Sequence, residues 1–194
     1  MNIQDTAKIH WCYFTDYHKY CDSLTMNTGA CYGLVFNETK PEIYEHPSDF
    51  SGCVYIGKST GYYFDKQSGS KAKKRSYVHK RMTTHIGALV NSRKKDTSHE
   101  KIIEHYGEGE DVINGTLTGK PCWLGLIIPR PDFETHNQYI TWAHMAERSE
   151  IYSYTRNFNK PPIGNLDSVS REPDMNTFSN KFKKETMNLM EHLI

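Results

Sequence analysis

Two tyrosines in short apolar segments, an arginine and a histidine one helical turn apart, and a glutamate inside an apolar helical stripe are the residues of this chain best suited to chemistry. Tyr32 stands in GACYGLVF, Tyr55 and Lys58 in CVYIGKS, Arg81 and His85 in RMTTH, and Glu147 in MAERSEIYSY. Cutting a phosphodiester needs an activated water or hydroxyl, cationic stabilisation of the charged transition state, and usually a metal held by a carboxylate. Arginine suits the second task because its planar fork grips two phosphate oxygens. Each residue alone has an ordinary reading. The tyrosines suit any strand, His85 suits a structural hydrogen bond, and Glu147 suits an ion pair with Arg148 or Arg156. The ordered set carries the argument.

The elements that must hold these residues follow from periodicity. GACYGLVF (29–36) and CVYIGKS (53–59) read as strands, joined by a polar connection with two prolines that suits a long hairpin link or an extra short strand. CWLGLIIP (122–129) reads as a buried strand. From about Arg75 to Val90, Val78, Met82, Ile86 and Leu89 recur at helical spacing, with Arg75, Lys80, Arg81 and His85 outside or beside the stripe. Arg81 and His85 are four apart, so both project from one helix face. Residues 91–100 read as a solvated turn, and 101–106 as a short helix or strand. A second helix spans about Asn137 to Arg156, with Ile140, Ala143, Glu147, Ile151, Tyr154 and Phe158 on one face. On this reading Glu147 lies on the buried face and Glu150 off it. The aromatic, polar segment 1–28 reads as one or two short helices, and 178–194 as a terminal amphipathic helix.

VYIGKS resembles the second half of the GIY-YIG nuclease signature. Ala30-Cys31-Tyr32 stands where that family has Gly-Ile-Tyr, a degenerate match that keeps the tyrosine. RMTTHI looks like the family's Arg-x-x-x-His helix, and Glu147 with Asn159, twelve residues on, resembles its Glu helix and Asn. Two alternatives stay open: Arg75 with His79, and Glu150 with Asn165. The resemblance spans about residues 29–160, and its long intervals are closest to the type II restriction enzymes. It implies an α+β fold, a small three-stranded, mainly antiparallel sheet flanked by helices, with helical additions at both ends. It implies a catalytic domain over 29–165 with a basic loop-helix insertion at 60–95, an N-terminal extension over 1–28 and a C-terminal helix over 166–194. Tyr32 would be the activating tyrosine, its phenolate favoured by nearby cations, and Tyr55 would support the nucleophilic water or bind phosphate. Lys58 and Arg81 would hold the scissile phosphate. His85 would orient the water or shuttle a proton. Glu147 would bind one Mg²⁺ or Mn²⁺ per active site, with Gly57 and Asn159 supporting the site.

Composition agrees with such a role. Hydrophobic residues make up 37% and aromatic ones 12% of the 194, enough for a folded core. The formal net charge is only +1, yet ten Lys or Arg and no Asp or Glu lie between Lys66 and Lys95. A charge run is usually a solvated loop, but this one, with Lys71, Lys73, Lys74, Arg75 and Lys80, suits nucleic-acid contact, and the resemblance implies double-stranded DNA as the partner. The five cysteines form no CxxC pair, which reads as reduced thiols in a cytoplasmic protein. A zinc site from His10, Cys12, His18 and Cys21 is disfavoured by its irregular spacing. The sequence has no leader-like start and no apolar run of membrane-spanning length. The expectation is a metal-dependent endonuclease, a restriction enzyme working as a homodimer, since cutting both strands of a palindrome needs two sites. A homing or phage-type nuclease, or an inactive nucleic-acid-binding module of the same fold, is the alternative.

Overall fold

The computed structural model describes residues 7–21, 29–59, 77–89, 97–106, 116–117, 119–129 and 136–168. Among these the fold is α+β. An antiparallel sheet is built from β1 (Ala7–Tyr13), β2 (Ala30–Phe36), β3 (Cys53–Ser59) and β5 (Lys120–Pro129), in the order β1-β5-β2-β3. The two-residue β4 (Thr116–Leu117) hairpins onto the start of β5, and Gly119 supplies the left-handed turn at φ 73°. The expected three strands are therefore joined by a fourth, β1. It replaces the helix expected at the start of the N-terminal extension. Its sequence alternates in period two, with Ala7, Ile9 and Trp11 buried and Lys8 and His10 exposed. That alternation fits a pleated edge strand and outweighs the helical reading.

Inner strands read as continuous apolar runs because both faces are covered. All seven residues of β2 are buried. One face packs against α4 (His136–Phe158) through Cys31, Val35, Trp123, Trp142, Ala143, Ala146 and Ile151. The other packs against α2 (Tyr77–Leu89) and α3 (Thr97–Tyr106) through Tyr32, Leu34, Leu126, Val78, Met82, Leu89 and Ile102. A short helix, α1 (Tyr17–Cys21), follows β1 and meets α2 through the Tyr17–Thr83 hydroxyl contact at 3.0 Å. Residues 97–100 belong to α3 rather than to a solvated turn.

The connection between β2 and β3 forms no strand. It carries a 3-10 turn over Pro47–Asp49 whose proline lies on the glycine seam of the sheet. A Cβ on Gly33 would fall 2.3 Å from the Pro47 ring, so only glycine admits that contact. Helix α4 stops at Asn159, which takes φ 57°, and Pro161 and Pro162 follow before a 3-10 turn over Ile163–Ser168. No helix among the described residues is long and apolar enough to cross a membrane.

Candidate active site

The β2–β3 ladder sets the position of both tyrosines. Tyr32 pairs with Gly57 and Leu34 with Tyr55, so both rings project from the face that α2 and α3 cover. Gly57 lets them converge: a Cβ there would lie 2.7 Å from the Tyr32 hydroxyl and 2.6 Å from the Tyr55 ring. Tyr32 is 0% exposed, and Tyr55 is half-buried.

Helix α2 brings its catalytic candidates to the same point. The Tyr32 hydroxyl lies 2.7 Å from His85 Nε2, and the Arg81 side chain hydrogen-bonds the same oxygen. The Tyr55 and His85 rings stand 5.0 Å apart. His85 Nδ1 meets His99 Nε2, from α3, at 2.8 Å. Tyr32, His85 and His99 thus form one buried chain crossing from β2 through α2 to α3.

Burial controls the ionisation of this chain. It pushes the Tyr32 phenol well above the usual tyrosine range. The neighbouring Tyr55 adds to the rise, and the Arg81 charge and hydrogen bond only partly oppose it. The expected phenolate is therefore not the state of the free chain at neutral pH, because desolvation outweighs the cation. His85 is pulled down to about 3 by burial, with His99 and Arg81 adding to the fall. It is a neutral imidazole, unsuited to carrying a proton away.

Lys58 and Glu147 lie around the other side of the strand. Lys58 pairs with Cys31 in the ladder, so it points to the face that α4 covers, where its ammonium pairs with the Glu147 carboxylate. His144, one turn before Glu147, is lowered by burial and by the nearby cations Lys58 and Arg148. The two halves of the site thus straddle β3, an edge strand whose penultimate residue is Lys58. They are close enough to interact electrostatically: behind burial, the Glu147 charge adds a minor part to the rise of Tyr32 and, behind burial and the Glu150 charge, to that of Cys31 on its own face.

The alternatives fall in other places. His79 is buried against the Tyr17 ring at 5.1 Å, apart from the Tyr32 cluster. Its companion Arg75 lies outside the described residues, as do Lys71, Lys73 and Lys74, and Lys80 is exposed on α2. Glu150, expected off the buried stripe, is only 4% exposed. Its carboxylate meets His46 Nδ1 at 2.7 Å and accepts from the Ser48 amide at 3.3 Å. Glu147 is the more exposed of the two, so its place beside Lys58 supports it, not burial. Asn159 is exposed and serves as the left-handed residue that ends α4. The asparagine behind the site is Asn165. It accepts from the Ile56 amide at 2.8 Å and donates to the Ile56 carbonyl at 2.7 Å, closing the free edge of β3 next to Gly57.

His99 was missed by sequence reasoning. Its signal was present, since His99, Ile102 and Tyr106 recur at helical spacing, but His99 falls in the stretch 91–100 read as a solvated turn. Among the described residues no three His, Cys, Asp or Glu side chains gather into a metal-ligating group. Glu147 is a single, partly exposed carboxylate already facing a cation, a donor set that would suit an ion keeping most of its own waters, as Mg²⁺ does.

No family model, curated protein or solved structure matches this chain.

Proposed function

We propose that the chain is a metal-dependent endonuclease that hydrolyses phosphodiester bonds in double-stranded DNA, acting as a homodimeric type II restriction enzyme. One observation carries this reading. Residues from three separated segments, Tyr32, Tyr55 with Gly57, and Arg81 with His85, converge on one end of β3, and the Lys58–Glu147 pair stands around the same strand end.

The chemistry follows from the groups present. Arg81 and Lys58 are the cations that would hold the non-bridging phosphate oxygens. Tyr55, half-buried, is the tyrosine that water and phosphate can reach. Behind it, Tyr32 is hydrogen-bonded to His85 and Arg81, and His85 is a neutral imidazole. Glu147 would hold the Mg²⁺ or Mn²⁺, which supplies Lewis-acid stabilisation of the developing charge.

A plasmid assay tests the proposal. Supercoiled DNA incubated with the protein and Mg²⁺ is expected to become nicked or linear, and EDTA to stop the reaction. Retarded but uncut DNA at every metal concentration would overturn it in favour of the binding module. The complete burial of Tyr32 is the feature that favours that second reading.

A further inference from the structure

The connection between β2 and β3 carries an apolar turn at its tip. Ile43 and Tyr44 are 76% and 75% exposed, far more than any other large hydrophobic residue among the described ones. Turns more often place Gly, Asn, Asp or Ser at such positions. This turn is also held firmly. The Glu45 amide donates to the Glu42 carbonyl at 3.1 Å, and the Glu42 amide donates to the Glu45 carboxylate at 2.6 Å. The Glu45 carbonyl accepts from the Trp11 indole of β1 at 3.1 Å. An apolar tip whose backbone is already ordered loses little freedom when it is covered, which is what an interface anchor requires.

Beside the tip lies an open cavity of about 690 Å³. Ile43 and Tyr44 line it on the loop side, and Lys8 and His10 on the β1 side. Ala7 and Ile9 give it apolar surface, and His46 and Asp49 give it polar atoms. A tyrosine suits such a hollow, because its ring is apolar and its hydroxyl needs a polar partner. The charges on the two features are opposite. Glu42 and Glu45 flank the tip, while Lys8 and His10 line the hollow; its one acid, Asp49, already accepts from the His46 amide at 2.7 Å. Acids beside the tip disfavour a polyanion such as DNA as its partner. A protrusion and a hollow of opposite charge, side by side on one face, are self-complementary, as a two-fold interface demands. We propose that this face pairs with a second copy of the chain, each Ile43–Tyr44 turn seating in the other copy's cavity and each Glu42 facing the other copy's Lys8. The cavity adjoins β1, at the opposite edge of the sheet from β3, so the pairing leaves the strand end that carries Tyr55 and Gly57 uncovered. The proposal supplies a surface for the homodimer of the proposed function. It rests on that reading only in making the pair the form that acts on DNA.

Sedimentation equilibrium of the full chain, without DNA or metal and across a concentration series, tests the pairing. The wild type is expected to dimerise. The double substitution Ile43→Ser with Tyr44→Ser changes no charge and suits an exposed turn, so its unfolding midpoint should match the wild type. Each substitution occurs twice in a two-fold pair, and dimerisation should weaken by about 30-fold or more. Lys8→Glu and Glu42→Lys should each weaken it several-fold, and the two together should restore it. A wild type that stays monomeric at every concentration would overturn the pairing. So would a dimer that the serine variant leaves unchanged, which would move the interface to another face. Charge variants that fail to rescue one another would refute the facing of Glu42 and Lys8. A monomeric wild type whose duplex binding is lost in the serine variant would assign the turn to DNA instead. Plasmid cleavage is read separately. A dimer that never cuts sinks the nuclease reading and leaves the pairing intact, whereas a monomer that cuts sinks the pairing alone.

Discussion

Gly57 faces the Tyr32 phenol across the β2–β3 ladder with no side chain between them. Adding a methyl there puts it 2.7 Å from an oxygen that His85 and Arg81 hold in place, and 2.6 Å from the Tyr55 ring. Tyr55, half-buried, can swing away; Tyr32 cannot without breaking its hydrogen bonds. Gly57→Ala is expected to fold with a loss of about 1–3 kcal/mol in urea unfolding, and to lose cleavage. An unchanged midpoint would mean the rings are free to separate. Arg81 is the cation bonded to the buried phenol, so Arg81→Ala should slow cleavage by about 10²–10³-fold, while Arg75→Ala should chiefly weaken binding. The reverse ranking in a single-turnover assay would move the site to the other Arg-x-x-x-His register. Glu147→Gln should bind DNA and not cut it. At this scale the residue types were legible but their ionisation was not. Nothing in RMTTHI tells that His85 would be buried against a second histidine, and pKa values follow burial.

The strand CVYIGKS and the two helical stripes were readable because their apolar periods are strong. β1 was not, because its aromatics obscured a five-position alternation, and Glu150 was misplaced because its buried partner, His46, is 104 residues away. The Asn165 clasp was unreadable for the same reason: it stands 109 residues from the Ile56 backbone that it satisfies. Both Ile56 groups face the outer edge of β3, where no further strand pairs among the described residues. Asn165→Ala leaves them without their side-chain partner and should cost about 1–3 kcal/mol, with faster amide exchange at Ile56. Asn159→Gly, at a left-handed position, should cost almost nothing by the same unfolding assay. The connection from β2 to β3 is pinned to α4 by His46 and Glu150. Burial lowers His46, but the Glu150 hydrogen bond and charge outweigh it, and the net shift is upward. A raised histidine contributes stability that is complete below its unfolded value of about 6.5 and is lost as pH rises through its folded value. His85, held near 3, works the other way and loses stability as pH falls below about 6.5. Comparing wild type with His46→Gln isolates the first effect. The wild type's advantage in unfolding midpoint should be greater at about pH 6 than at about pH 8.5, and an advantage that grows with pH would refute the pairing.

Over the whole molecule the charge balance is nearly even, at +1, while ten cations and no acids fall between Lys66 and Lys95. The run brackets α2, so it flanks in sequence the helix that supplies Arg81 and His85. A near-neutral protein with a segregated positive segment would meet a polyanion through that segment, with the acids elsewhere limiting non-specific contact. On the proposed function, the salt dependence of binding would be a property of the basic segment and not of the net charge. Each phosphate contact contributes roughly −0.9 to the slope of log K against log salt. If Lys71, Lys73 and Lys74 each meet a phosphate, replacing all three by Gln should flatten that slope by roughly 2.7, the sum of three such terms. The same variant should bind DNA more weakly at every salt concentration yet cut bound DNA at the wild-type rate, because the phosphate being cut would be held by Arg81 and Lys58. Fluorescence anisotropy on a labelled duplex across a salt series gives the slope, and quenched-flow cleavage at saturating protein gives the rate. A slope that stays at the wild-type value would place the DNA contact on a different face of the protein. A lost rate with an unchanged slope would put these lysines at the reacting phosphate itself.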